Sequence, residues 1–262
     1  MNGFYAAAKC IAAARRDRAP LGSLPEGAVP QDVVAGYRLQ DAIHELLAPD
    51  FGPLVGYKIG CTSAVMQHYL GIPHPCSGGV FANGVHRSDV ALRHDDFVRV
   101  GVECEIAIRL GRDLRPSDAP FTADTAAQAI EAYQPAIEIV DDRYVDWRSI
   151  GAPTLVADDF FAAGCVLGQP VSRLLAPDLP ALVGRARVNG VEVGRGTGAD
   201  VLGHPHNALA WLANRLAATG SALRAGEFVL TGSLVQTVWI GAGDRVVMDL
   251  SGLGTVTADF RG

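Results

Sequence analysis

The sequence predicts an α+β fold, in which a helical segment over residues 1–50 precedes a β-rich body over residues 51–262. The N-terminal part repeats apolar residues at helical spacing, which indicates helices. From residue 55 onward, short runs rich in Val and Ile are separated by Gly and Pro, as in strands joined by turns. The length also permits both parts to be counted as one domain.

The composition argues against several classes of protein before any motif is considered. Hydrophobic residues make up 49% of the 262, which is enough for a sizeable core. The formal net charge is −6, and there is no Lys/Arg cluster of the kind that binds nucleic acid. No stretch reaches the roughly 18 apolar residues that a membrane-spanning helix needs. We therefore expect neither a nucleic-acid partner nor a membrane partner.

The cysteines and the opening residues predict a cytoplasmic protein. There are five cysteines, an odd number, and none has the spacing of a zinc site. Reduced thiols are the simplest interpretation. In the opening stretch the basic residues follow the apolar ones, which is the wrong order for a secretory signal.

Three stretches are predicted to form helices. The first, QDVVAGYRLQDAIHELLAPD, has apolar residues at helical spacing and is expected to end at Pro49. The second covers residues 122–134. The third is NALAWLANRLAATG, with Asn207 as its N-cap. The predicted strands cover residues 55–60, 98–110, 135–141, 163–168, 185–193, 227–231 and 245–260.

Two carboxylates interrupt the apolar strand VRVGVECEIAIRL. Because side chains alternate along a strand, Glu103 and Glu105 are neighbours on one face, opposite the apolar set. If both are buried, at least one pKa rises strongly unless a cation lies between them. A hard divalent ion with oxygen ligands would supply that charge. The alternative is a solvated strand face on which Arg109 balances the charge.

Two further charged residues lie within apolar runs. Glu138, between Ile137 and Ile139, could complete a site of three carboxylates, or it could pair with Arg143 or another arginine. Lys58 lies within VGYKIG, in a chain that has only two lysines. It either reaches the surface with its ammonium group or serves a site as an anion partner or proton donor.

The glycine-rich stretches carry weaker signals. VLTGSL could present the hydroxyls of Thr231 and Ser233 to a substrate carboxylate, or it could be a tight turn. His204 and His206 flank a proline, and a capping or loop role is favoured over catalysis. No phosphate-binding loop and no Ser/His/Asp arrangement is found.

Taken together, several stretches resemble the 2-keto-4-pentenoate hydratase/4-oxalocrotonate decarboxylase branch of the fumarylacetoacetate hydrolase superfamily. The stretches are VGYKIGCTS, GVECEIAIRLGRDL, PAIEIVDDR, GCVLG and AGEFVLTGSL, followed by GAGDRVVMDLSGLGTVTADF, in this order from about residue 30 to the C-terminus.

This resemblance implies a fold and a site. The fold is a β-rich roll with flanking helices and a helical N-terminal segment, assembled as a homo-oligomer. The site is a Mg²⁺ or Mn²⁺ centre whose ligands match Glu103, Glu105 and Glu138, with an active-site lysine that matches Lys58. The implied substrates are small 2-keto or 2-hydroxy-dienoic acids from aromatic meta-cleavage catabolism.

Two positions depart from the pattern expected of the hydratases. Cys76 stands where relatives commonly carry an aspartate, so a thiol is a candidate for the proton transfer; the alternative is that a buried Cys76 serves only packing. Phe161 stands where relatives often carry a serine, and we expect its ring to narrow or reshape the substrate pocket.

A hydratase of a 2-hydroxy-2,4-dienoate is the first functional hypothesis, and three alternatives remain open. A decarboxylase of a 2-keto diacid would need a second cation for the second carboxylate, and Arg143, Arg148 and Arg195 are candidates. An acylpyruvate-type hydrolase would need a water-activating His/Glu pair. A non-catalytic partner subunit is the fourth possibility, although an inactive site has no need of three carboxylates and a lysine.

Overall fold

The computed structural model describes residues 2–262. Met1, the first residue of the predicted helical segment, lies outside the described residues. The α-helices are Asn2–Asp17 (α1), Val33–Phe51 (α2), Ala64–Leu70 (α3), Ala123–Ala127 (α4), Ala152–Ala157 (α5) and Pro205–Ala217 (α6). The first seven strands are Leu54–Gly60 (β1), Cys76–Phe81 (β2), Val85–Arg87 (β3), Val90–Arg93 (β4), Val100–Leu110 (β5), Ile130–Asp141 (β6) and Ala162–Leu167 (β7). The others are Val171–Ser172 (β8), Val183–Val188 (β9), Val191–Thr197 (β10), Phe228–Ser233 (β11), Val238–Trp239 (β12), Arg245–Leu250 (β13) and Gly254–Arg261 (β14).

The strands form two mixed sheets. The larger sheet has the order β2-β1-β11-β5-β6-β7-β3, with β12 added to β5 and β8 added to β6. The smaller sheet has the order β10-β9-β13-β14-β4. With the flanking helices, these sheets confirm the predicted α+β class.

The two sheets enclose the main hydrophobic core. One face of β5 contributes Val102, Cys104, Ile106 and Ile108, and the smaller sheet contributes residues such as Met248 and Phe260. Helix α6 packs into the same core through Leu209 and Leu212. Because the apolar alternate residues of β5 are committed to this core, the intervening Glu103 and Glu105 must face the other side of the larger sheet.

The N-terminal helices form a second core on the carboxylate side. Ile11 of α1, Leu39 and Ile43 of α2, and Leu155 of α5 are fully or almost fully buried together. Asp32 caps α2 by accepting a hydrogen bond from the backbone N–H of Ala35. The helix passes Pro49 and ends at Phe51, two residues later than predicted and one residue beyond the segment predicted to be helical. The division of the chain into two domains stays a prediction.

The prediction of a helix over 122–134 is wrong beyond its first turn. Thr122 starts α4 with a capping box, but the helix ends at Ala127. The chain then enters β6 at Ile130, which pairs with Leu110 of β5. The long ladder between β5 and β6 outweighs the local helical preference of this stretch.

Two stretches that were each predicted to be a single strand form hairpins of two strands. Residues 185–193 fold as the pair β9 and β10, with Asn189 and Gly190 at positive φ in the turn. An Asn-Gly pair between apolar runs favours such a turn. Residues 245–260 likewise divide into the antiparallel pair β13 and β14.

The start of α6 differs from the prediction by three residues. His204, not Asn207, is the N-cap, and its ring nitrogen accepts a hydrogen bond from the backbone N–H of His206. Pro205 occupies the first helical turn, where a missing N–H has no cost. The capping role expected for this stretch is confirmed. Among residues 2–262, no helix is long and apolar enough to cross a membrane.

Candidate metal centre

The pairing of β5 with β6 brings three carboxylates together on one face of the larger sheet. Glu103 lies directly opposite Glu138 in the antiparallel ladder. Glu105 follows two residues later on the same face of β5, opposite the small Ala136. The three side chains each offer an oxygen within 4.8 Å of the other two. Adjacent strand positions therefore build a compact cluster of oxygen ligands.

Each carboxylate is held by few hydrogen bonds. The Thr237 hydroxyl donates to Glu103, and the Gly232 backbone N–H donates to Glu105 Oε2 over 2.8 Å. Glu105 and Glu138 are 0% and 1% exposed. Glu105 Oε1 and Glu138 Oε2 are buried, and neither has a hydrogen-bond donor within the described part of the chain. Buried carboxylate oxygens without a donor are costly, so they call for a cation.

Lys58 is the cation that the protein itself supplies. It lies on β1 in register with Leu230 of β11, which is in turn in register with Ala107 of β5. Lys58 is 3% exposed, and its Nζ lies 2.8 Å from Glu138 Oε1. The predicted role at a site is thus favoured over a surface role. The predicted alternative partner of Glu138, Arg143, pairs with Asp158 instead, over 2.8 Å.

One lysine does not balance three clustered carboxylates, two of which are buried. Desolvation lowers the pKa of Lys58, but the three carboxylates outweigh it and leave that pKa above its ordinary value. Desolvation and the charges of Glu138 and Glu103 raise the pKa of Glu105 well above its ordinary value. Desolvation and Glu138 also raise the pKa of Glu103. A divalent cation fits this donor set, because Mg²⁺ and Mn²⁺ prefer carboxylate oxygens.

An open cavity of about 730 Å³ adjoins the cluster. Lys58 and Glu103 line it, as do Phe161 and Ser233, two of the residues predicted to contact a substrate. The Ser233 hydroxyl donates to the Val235 carbonyl over 2.7 Å. Helix α3, which has no buried residue, forms part of the cavity wall through Val65, Met66 and Leu70.

Two other predicted residues lie away from the cavity. Thr231 is fully buried, and its hydroxyl donates to the Ile106 carbonyl over 2.9 Å. Cys76 is also fully buried and packs in the helical core, whereas Cys61 lines the cavity. Roles for Thr231 and Cys76 at the substrate stay predictions, and the geometry favours Cys61 as the thiol that faces the cavity.

The turn that carries Phe161 has an unusual backbone. Asp159, Phe160 and Phe161 all adopt positive φ, a conformation that non-glycine residues rarely take. The Phe160 carbonyl accepts a hydrogen bond from Lys58 Nζ over 3.4 Å. The Phe161 ring meets the Tyr144 ring edge-on at 5.9 Å. The turn thus places one carbonyl on the lysine and one ring in the cavity.

Asp159 anchors this turn to the N-terminal helices. Its carboxylate accepts hydrogen bonds from Arg15 of α1 over 2.7 Å and from His44 of α2 over 2.8 Å. The Gly79 backbone N–H also donates to it over 2.9 Å. Burial raises the pKa of Asp159, but His44 and Arg15 outweigh burial and hold the pKa well below its usual range.

We predict that Asp159→Asn lowers the free energy of unfolding by about 3 kcal/mol at neutral pH, because it leaves Arg15 short of a buried partner. The folded-state pKa of Asp159 is depressed, so its contribution is present above about pH 4 and is lost as pH falls further. The free energy of unfolding, measured with urea between pH 7 and pH 3, should therefore fall more steeply with falling pH in the wild type than in the variant. Parallel pH curves would contradict this account.

Several site residues were missed by sequence reasoning. Thr237, Cys61 and Trp147 all reach the cavity, and Thr237 also supports Glu103. At the rim, the Arg99 guanidinium lies over the Trp239 ring at 4.0 Å. Apart from Cys61, which lies in the family stretch VGYKIGCTS close to Lys58, none of these residues stands in a recognisable motif.

Comparison with known proteins agrees with this geometry. Residues 77–261 match the family described as fumarylacetoacetate (FAA) hydrolase C-terminal. A 2-keto-4-pentenoate hydratase of Paraburkholderia phymatum is 36% identical over 94% of this chain and 93% of its own length. A 2-hydroxyhexa-2,4-dienoate hydratase of Comamonas testosteroni is 36% identical over 79% of this chain and 78% of its own.

A solved structure extends the likeness to the whole fold. The 4-oxalocrotonate decarboxylase of Pseudomonas putida G7, complexed with magnesium and adipate, superposes with a TM-score of 0.92. It is 27% identical and covers 99% of this chain and 97% of its own. The chain therefore belongs to the fumarylacetoacetate hydrolase family, in the branch of 2-keto-4-pentenoate hydratases and 4-oxalocrotonate decarboxylases, as its sequence predicted.

Proposed function

We propose that this protein is a metal-dependent hydratase that converts a 2-hydroxy-2,4-dienoate to a 4-hydroxy-2-keto acid. The observation that carries the proposal is the cluster of Glu103, Glu105 and Glu138 beside Lys58 at a substrate-sized cavity. Relatives more than 35% identical are named as hydratases of such dienoates, which supports the same reaction here. The reaction belongs to the meta-cleavage catabolism of aromatic compounds.

We propose Mg²⁺ or Mn²⁺ as the metal, held by the three glutamates. The two buried oxygens without donors, on Glu105 and Glu138, support this assignment. When bound, the ion would act as a Lewis acid toward the carboxylate and keto oxygens of the substrate.

Side chains of the protein would then bind the substrate carboxylate and transfer the proton. Lys58 Nζ lies 2.8 Å from Glu138 Oε1, an ion pair that favours the charged form of the lysine, so we propose that it acts as a cation and proton donor rather than as a base. Its ammonium attracts the substrate carboxylate and can deliver a proton as the dienol becomes an α,β-unsaturated ketone. Water then adds at C4. Ser233 lines the same cavity, which supports the proposal that it contacts the substrate carboxylate.

Phe161 is expected to set the size of substrate that the cavity accepts. Phe161→Ser removes a ring that packs against Tyr144 and Trp147, at centroid distances of 5.9 and 6.0 Å. We predict a loss of about 1–3 kcal/mol in stability. We also predict that kcat/KM shifts about tenfold in favour of dienoates with longer C5 substituents. Steady-state kinetics with a short and a long dienoate measure this, and an unchanged ratio would refute the role.

A decarboxylase of a 2-keto diacid is the second candidate function. Three arginines, Arg99, Arg148 and Arg195, line the outer part of the cavity and could meet a second carboxylate. Two of them are partnered, because Arg99 pairs with Asp142 and Arg195 pairs with Glu192. The similarity to a 4-oxalocrotonate decarboxylase supports decarboxylation as the second candidate.

Product masses separate these functions in one experiment. The protein, with Mg²⁺ or Mn²⁺, is incubated with 2-hydroxypenta-2,4-dienoate, with 4-oxalocrotonate and with an acylpyruvate. Gain of one water by the dienoate is the expected result, and it must disappear with excess chelator. Loss of CO₂ from the diacid alone would favour the decarboxylase. Cleavage of the acylpyruvate would identify a hydrolase, and no turnover of any compound would favour a non-catalytic subunit.

We also propose that the chain forms a homo-oligomer. Leu174 and Leu175 are 86% and 78% exposed at adjacent positions. Burying a leucine fully contributes about 1.5–3 kcal/mol, so such a pair favours a partner surface. Sedimentation equilibrium should give a multiple of the chain mass of 27.5 kDa, and a mass of one chain would contradict the proposal.

A further inference from the structure

Two cysteines meet beside the cavity, and the proposed hydration leaves one of them, Cys61, without a role. Cys61 directly follows the last residue of β1, Gly60, which is in register with Cys76 at the start of β2. The two strands are antiparallel neighbours, so the thiols are brought together by the sheet itself. Each thiol shifts the pKa of the other, because the two side chains lie close together.

The two thiols differ in their access to solvent. Cys61 is half-buried and lines the cavity, whereas Cys76 is 0% exposed and packs in the helical core. A small reagent in the cavity therefore reaches Cys61 first and cannot reach Cys76 directly. Cys61 also adopts a φ of 57°, a conformation that costs energy for a non-glycine residue and that often marks a functional position.

We propose that Cys61 and Cys76 form an oxidation site, at which a hydroperoxide entering the cavity converts the two thiols to a disulfide. The Cys61 thiolate attacks the O–O bond of the peroxide, which leaves a sulfenic acid on Cys61 and releases water or an alcohol. The Cys76 thiol then displaces a second water from that sulfur and forms the S–S bond. Two electrons pass from the sulfurs to the peroxide, and the two thiol protons leave in the products.

The surroundings of Cys61 favour it as the attacking group. The neighbouring Cys76 side chain lowers the pKa of Cys61 and burial opposes this. The positive charge of Lys58 adds to the lowering, against the negative charge of Glu103, and the pKa stays below its ordinary value. A thiol of lowered pKa that reaches solvent and has a second thiol beside it is the arrangement of known redox-sensitive pairs.

Oxidation at this place would alter the cavity wall. Thr62 and Ser63 follow Cys61 and line the cavity, and Ser63 caps α3 through the Met66 N–H. Drawing the two sulfurs to a bond of about 2.05 Å pulls this wall toward β2. We expect a several-fold loss of turnover on oxidation. This consequence rests on the proposed function, whereas the disulfide itself does not.

The test uses the full chain, freed of reductant and treated with hydrogen peroxide. The intact mass should fall by two hydrogen atoms and recover with dithiothreitol. A non-reducing peptide map of the same sample should join the peptides that carry Cys61 and Cys76, and it needs no variant. An unchanged mass, or a disulfide that includes any other cysteine, would overturn the proposal.

Three variants sharpen the assignment. Cys76→Ser should stop at a sulfenic acid on Cys61, which a 1,3-diketone reagent traps as a covalent adduct. Cys61→Ser should give neither disulfide nor adduct, because Cys76 is shielded; an adduct on Cys76 would contradict the order of attack. Cys10→Ser is the matched control, since Cys10 is also half-buried but lies on α1, and it should keep the loss of two hydrogens. Turnover is measured separately, so failure of the hydratase proposal leaves the mass result intact.

Discussion

Glu105→Gln is expected to abolish turnover of the dienoate and, at the same time, to stabilise the protein after its metal is removed. Glutamine keeps the shape of the side chain, and its amide oxygen can still accept the Gly232 N–H. The variant loses one of three metal-binding carboxylates, so activity should fall at least about a thousandfold, or about 4 kcal/mol.

The gain in stability has an electrostatic cause. Glu105 is fully buried beside Glu103 and Glu138, and desolvation together with their charges raises its pKa. Removing its charge relieves that repulsion, so the melting temperature of the chelated protein should rise, by about 2–4 °C for each kcal/mol gained. Calorimetry with and without chelator measures the melting temperature, and turnover of the dienoate is assayed separately. Glu131→Gln is the control: it removes an exposed carboxylate on the neighbouring strand, β6, and should change neither quantity. A fall in the metal-free melting temperature of Glu105→Gln would contradict the account.

Lys58→Met should have the opposite effect on stability. It leaves Glu138 buried beside two other carboxylates without its cation, 2.8 Å away in the native protein. Breaking a buried ion pair in this way costs about 3–5 kcal/mol. Turnover should fall about 100- to 10,000-fold, because the proton donor is lost. Saturating Mg²⁺ should recover part of the stability and none of the activity.

The chain offers a natural control for this experiment. Its second lysine, Lys9, lies on α1 with its ammonium over the Tyr5 ring, and Lys9→Met should leave both stability and turnover near wild type. The double variant Lys58→Met/Glu138→Gln should lose less free energy of unfolding than the sum of the two single-variant losses, by about 0.5–3 kcal/mol. Additive effects would mean that the two side chains do not interact.

The part of the site that lies on one strand, Glu103 and Glu105, was predictable from the sequence. Alternation along β5 places Glu103 and Glu105 on one face without any knowledge of the fold. Their neighbour Glu138 comes from another strand, and its position depends on the register of β5 with β6. No local pattern sets that register, so Glu138 was a candidate but its distance from the pair was not predictable. The same holds for Lys58 on β1, whose side chain reaches Glu138 on β6 although β11 and β5 lie between the two strands.

The errors in secondary structure have related causes. Strand β2, with the sequence CSGGVF, is fully buried but rich in glycine, so it shows neither alternation nor an apolar run. Its glycines are needed because a Cβ at Gly78 would lie 2.8 Å from the Asp159 side chain. Residues 130–133 read as helix from their composition and pair as strand in the fold. In both cases contacts distant in sequence decide the conformation.

The partnership of the two thiols also lay beyond local reasoning. Cys76 was singled out because it replaces an expected acid, yet it is Cys61 that faces the cavity. Only the pairing of β1 with β2 reveals that the two are neighbours.

One titration tests the central claim, that the three carboxylates form a single divalent-metal site on which hydration depends. Mn²⁺ is added to the chelated protein, and bound Mn²⁺ and the rate of dienoate hydration are measured on the same samples. The account predicts that the rate rises in proportion to occupancy and saturates at one ion per chain. Full hydration in the metal-free protein, or a rate that does not follow the bound ion, would contradict it.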